Sequence, residues 1–154
     1  MAANTYTAFY HNIAVTAAQD LIELTAPSDA ALEVIRVFVG QYQDSGDAEA
    51  ESLRLNIVRY ASSGSGGLTA DIGAHQAGQV ASAVTAERNN TTPGGTPTRI
   101  HASTWSVGSG WLHEMEEEEA IWVSPSDILA VSLPAAPADQ LGVSVSVTWR
   151  EWGG

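Results

Sequence analysis

A chain of 154 residues with 18 Asp+Glu against 6 Lys+Arg, all six of them arginine, has a formal net charge of −12 and room for one well-buried core. That balance repels nucleic acid and anionic membranes, and Arg36, Arg54, Arg59, Arg88, Arg99 and Arg150 lie in separate segments rather than in a basic stripe. The absence of lysine removes a P-loop phosphate clamp and Schiff-base chemistry, and the absence of cysteine removes thiol nucleophiles, thiolate metal sites and disulfides.

From the N-terminus, residues 1–6 show neither a basic n-region nor an apolar h-region, and no later apolar run approaches the roughly 20 residues that span a bilayer. Synthesis in the cytoplasm without a secretion address is expected. Period-two alternation then predicts strands over 6–15, 20–25 and 32–41. The third is apolar on both faces apart from Glu33 and Arg36, which predicts a central strand covered by core on one side and by a loop or neighbour on the other. Asp44, Asp47, Glu49 and Glu51 follow without the ligand spacing of an EF-hand loop and read as a solvated turn.

A strand over 52–60 comes next. Residues 61–78, rich in Gly, Ser and Ala, and 89–97, which read Asn-Asn-Thr-Thr-Pro-Gly-Gly-Thr-Pro, are loop excursions by composition, with a strand expected over 79–85 between them. Further strands are predicted over 98–107, 111–115, 120–123 and 128–133. The last strand is the most regular: Val143, Val145, Val147 and Trp149 fall on one face, with Ser144, Ser146, Thr148 and Arg150 on the other. About eight to ten short strands with nothing long and helical between them predict one all-β domain over 1–154. The expected architecture is an antiparallel β-sandwich, jelly-roll-like, although an immunoglobulin-like sandwich shares the same alternation.

Chemistry-bearing residues are sparse. Glu114, Glu116, Glu117, Glu118 and Glu119 place five carboxylates in six residues behind His113. Adjacent strand side chains point to opposite faces, so the run reads first as a solvated acidic turn; its functional reading is a cation site or a contact for a basic partner. His113-Glu114 does not open a zincin motif, because Glu117 stands where the second histidine belongs. His11, His75, His101 and His113 sit in different segments, with no pair spaced to share a metal locally, although folding can bring two together. No serine lies in a Gly-x-Ser-x-Gly elbow. Neither a catalytic residue nor a cofactor or metal site is expected, and the chain does not read as an enzyme. Of the five tryptophans, Trp149 shares the core face with the valines, whereas Trp105, Trp111 and Trp152 lie near strand ends and suit an exposed surface. The expected interaction surface therefore combines Glu114, Glu116, Glu117, Glu118 and Glu119 with Trp105, Trp111 and Trp152.

Four stretches carry a resemblance: Gln19-Asp20-Leu21-Ile22-Glu23-Leu24-Thr25-Ala26-Pro27-Ser28-Asp29-Ala30-Ala31, Glu51-Ser52-Leu53-Arg54-Leu55, Asn89-Asn90-Thr91-Thr92 and Pro134-Ala135-Ala136-Pro137-Ala138-Asp139. Over most of its length the chain resembles small β-rich virion proteins of tailed bacteriophages and prophages, of the head decoration or cement type. The resemblance implies a structural protein that binds the outside of the capsid and stabilises it. Its implied partners are the major capsid protein and other copies of itself, for example as trimers on symmetry axes. A neck, tail or fibre component, or a carbohydrate- or receptor-binding module of the virion with tryptophans as its platform, are the alternatives. A large negative charge keeps free subunits soluble and steers them toward basic patches on a shell.

Overall fold

The computed structural model describes residues 3–44 and 51–153, and most of the acidic stretch between Asp44 and Glu51 lies outside the described residues. The elements described are all strands: β1 (Asn4–Val15), β2 (Gln19–Thr25), β3 (Ala30–Asp44), β4 (Ser52–Ser62), β5 (Leu68–Thr69), β6 (Asp71–Ala74), β7 (Thr85–Asn90), β8 (Gly95–Ser106), β9 (Trp111–Glu114), β10 (Ile121–Val123), β11 (Ile128–Leu133) and β12 (Leu141–Gly153). They form two antiparallel sheets. The first runs β10-β3-β12-β1-β6, with β9 also pairing β3, and the second runs β5-β7-β2-β11-β4-β8. Without the short β5, β6 and β7 the sheets read β9/β10-β3-β12-β1 and β2-β11-β4-β8, the strand order of a two-sheet jelly roll.

The alternation explains the packing. Along β12, Leu141, Val143, Val145, Val147 and Trp149 are buried, while Ser144, Ser146 and Arg150 are only partly covered. In register beside them on β1 stand Val15, Ile13, Tyr10, Ala8 and Tyr6, and the second sheet contributes Leu24, Leu53, Leu55, Ile57, Leu129, Val131 and Leu133 to the same core. Each of these large side chains contributes about 1.5–3 kcal/mol when fully removed from water. Trp149 stacks on Tyr6 at 5.9 Å, and the Tyr6 hydroxyl donates to the Val80 carbonyl at 2.7 Å, which ties residues 79–84 to that end of the core.

Three expectations are corrected. The segment 79–85 is not a strand before Thr85: it runs irregularly, held by Gln79 Nε2 donating to Thr5 O and Ser82 Oγ donating to Glu151 Oε2, and the strand begins where β7 can pair with β2. The loop excursion expected over 61–78 holds two short strands, β5 extending the second sheet and β6 the first, and the one expected over 89–97 is strand at both ends, in β7 to Asn90 and in β8 from Gly95. Strand β3 is central as expected, between β12 and the β9/β10 edge, yet its outward face is open: Arg36 and Phe38 are exposed.

The outer face of the second sheet is covered in part, while Arg54, Arg99 and Thr104 stay exposed over β4 and β8. Val58, Tyr60, Ile128 and Ala130 form a small buried cluster under the covered part, beside the buried carboxylates of Asp20 and Glu23. Residues around Gly64 and Thr92 lie over them. The Gly64 amide donates to Glu23 Oε2 at 2.9 Å, and Ser65 and Thr92 exchange backbone bonds of 2.9 and 3.1 Å. A Cβ on Gly67 would fall 1.7 Å from Asn90 Oδ1, and one on Gly94 2.5 Å from the Tyr60 ring, so the chain can lie this close only with glycine at both positions.

Candidate interaction face

The open outer face of the first sheet collects the side chains that β1, β3, β9, β10 and β12 turn away from the core. Strand register sets them in rows. Leu112, Phe38, Ser146, Phe9 and Asp71 are cross-strand neighbours in one row, and Glu114, Arg36, Thr148, Thr7 and Gly73 in the next. A third row runs Trp122, Glu33, Arg150 and Thr5. Of eight exposed large hydrophobic side chains, six stand on this face: Phe9, Phe38, Tyr42, Leu112, Trp122 and Trp152.

At one end of the face, Trp122 and Trp152 meet with ring centroids 6.1 Å apart. Between them and the middle of the sheet lies Glu33, almost fully buried, which accepts from Trp152 Nε1 at 2.9 Å and from Arg150 Nη1 at 3.2 Å. Both carboxylate oxygens are thereby used, and the indole and the guanidinium are held in one orientation. In the middle of the face a groove of about 610 Å³ is lined by Arg36, Arg150, His75 and Thr148 below and by Glu114, Glu116 and Glu117 at its wall. The wall exists because the Met115 amide donates to Ile35 O at 3.0 Å, at the bulge of β3, and lifts the β9–β10 connection over the sheet. At the other end Phe9, Phe38 and Leu112 form an apolar row, with Tyr42 and His11 beside it at 6.2 Å between rings.

The residues expected from the sequence divide accordingly. Glu114 and Trp152 lie on the face, and Glu116 and Glu117 on its rim. Glu118 and Glu119 are exposed on the turn, which the Glu119 amide closes onto Glu116 O at 2.9 Å. All four side chains from Glu116 to Glu119 are exposed, and among the described residues no three His, Asp or Glu side chains converge. Trp105 is corrected: it is only 1% exposed, faces the core beside Leu53, and donates its indole N–H to Ser109 O at 2.6 Å. Trp111 is half-buried, donates to Ser103 Oγ at 3.0 Å, and packs into the seam between the sheets rather than onto the face.

That seam holds the pair of histidines the fold brings together. His101 on β8 and His113 on β9 stack at 4.3 Å, with Trp111 5.6 Å from His113. Burial holds His113 below the usual imidazole range, and the nearby His101 lowers it further against a small opposing effect of Glu119. The second polar cluster is under the covered part of the second sheet: Tyr60 Oη donates to Asp20 Oδ1 at 2.9 Å. Burial pushes the Asp20 and Glu23 carboxyls up from the ordinary range, more than the hydrogen bonds they accept pull them down.

Phe9, Phe38, Leu112 and Trp122 were absent from the sequence expectation. Their signal was the polar phase of the alternation, where Phe38 stands between Val37 and Val39 in a position that a half-solvated strand gives to a polar residue.

Comparison of the chain with protein-family models, with curated proteins and with solved structures finds no match in any of the three.

Proposed function

We propose that the protein is a structural component of a bacteriophage virion, a head decoration or cement protein that binds the outside of the shell and stabilises it through contacts with the major capsid protein. The observation that carries a docking role is the outer face of the first sheet: six large apolar side chains exposed together on an otherwise acidic, rigid sandwich mark a surface made for a partner. The virion setting is supported by the sequence resemblance. Two of the stretches that carry it, Gln19-Asp20-Leu21-Ile22-Glu23 and Asn89-Asn90-Thr91-Thr92, build the clamp that covers part of the second sheet.

The experiment is co-sedimentation of the purified protein with particles that lack it. Saturation at a fixed ratio to the major capsid subunit, with a higher thermal rupture temperature of the shell, is the expected result. Absence of binding at any protein concentration contradicts the reading. A second reading, a saccharide-binding module of the virion, is favoured by the Trp122–Trp152 pair beside the polar groove. Quenching of tryptophan fluorescence by oligosaccharides distinguishes it.

A further inference from the structure

We infer that the outer face of the first sheet is where copies of this chain meet one another. This names the face used for self-association, and it holds or fails independently of the virion setting.

Shape is the first argument. A Cβ added at Gly40 or at Gly110 would lie 3.0 Å from the Phe38 ring, and one at Gly73 would lie 3.4 Å from the Phe9 ring. The two phenyl rings therefore lie along the backbone instead of standing up from it, and the apolar row is flat. The strands flanking the face, β6, β9 and β10, are only 3 or 4 residues long, so a neighbour meets the face rather than extending an edge. Long strands about 4.8 Å apart give a face about 20 Å by about 40 Å, on the order of the 800 Å² that each partner contributes to a standard interface.

Charge decides the occupant. The face carries Arg36 and Arg150 among Glu33, Glu114 and Asp71, with Glu116 and Glu117 on its rim, so charges of both signs stand side by side on it in a chain of net charge −12. Two copies meeting on this face can set the arginines of one against the carboxylates of the other. Arg36 is exposed and makes no ion pair among the described residues, and the acidic turn at the rim of a second copy supplies carboxylates of the sign it needs. Arginine and aromatic side chains with few other charges are what interface cores select.

The test is sedimentation velocity of the purified protein, without particles, across a concentration series. Wild type is expected to associate, and Phe38→Asp is expected to weaken association at least tenfold with an unchanged thermal midpoint. Leu112→Ser, at a side chain 55% exposed, reads the same face without burdening the fold should Phe38→Asp fail to fold. Val80→Asp, at an exposed apolar residue elsewhere, is expected to leave association unchanged. A wild type that stays monomeric at the highest concentration overturns the inference, as does association that survives both face variants. So does a monomeric wild type whose binding to particles is abolished by Phe38→Asp, which would assign the face to the shell. A protein absent from virions would still associate, so the two claims fail separately.

Discussion

Asp20 and Glu23 are carboxylates at 0% and 2% exposure with no arginine bonded to either among the described residues, and Asp20 Oδ2 has no hydrogen-bond partner. Burial raises both above their ordinary values of 3.8 and 4.5. A raised carboxylate keeps its proton longer folded than unfolded, so its contribution to stability is complete below the ordinary value and is lost as pH rises through the folded one. Asp20→Asn cannot ionise and still offers Tyr60 an acceptor. Urea unfolding at about pH 4 and at about pH 8 is therefore expected to show the variant gaining on wild type at the higher pH, by about 1.4 kcal/mol per unit of pKa shift. A difference that does not change with pH contradicts the account. None of this was legible in the sequence: Asp20 and Glu23, three apart, fall on opposite faces of a period-two strand, and it takes the irregularity of β2 at Leu21 and the glycine-rich chain folded over them to put both under one cover. Glycine in 61–67 announced a loop but not what the loop covers.

The β9–β10 connection shows how far an element can be read locally. The run from Glu116 to Glu119 was legible as a solvated turn because a charge run has one stable place, in water. That Glu114 would stand beside Arg36, or His113 against His101, depends on strand register and on the meeting of two sheets, which no local pattern states. Trp105 was misplaced for a related reason: residues 107–110 fold back so that Ser109 O reaches the indole, burying a side chain that sits near a strand end. Strands β5 and β6, at 2 and 4 residues, are too short to show a period at all. Replacing Glu116, Glu117, Glu118 and Glu119 together by glutamine is expected to leave the thermal midpoint unchanged, because exposed charges contribute little to stability. It is expected to slow attachment to particles several-fold at low salt, with the difference vanishing at high salt. Equal rates at low salt would remove steering by this turn.

At the scale of the molecule, alternation identified a β-sandwich from residues such as Val143, Val145, Val147 and Trp149, while the choice between jelly roll and immunoglobulin-like order rests on β12 lying between β1 and β3 and β11 between β2 and β4. The same pairing carries the functional argument, since it alone assembles Phe9, Phe38, Leu112, Trp122 and Trp152 from five strands into one face. The central claim, that this protein is a repeated part of a viral shell, is tested most directly by quantitative mass spectrometry of purified particles from the source. The account predicts a copy number equal to that of the major capsid protein or to a simple symmetric fraction of it. A handful of copies per particle would contradict decoration and place the protein in the neck, tail or fibre, and its absence from particles would contradict the virion reading altogether.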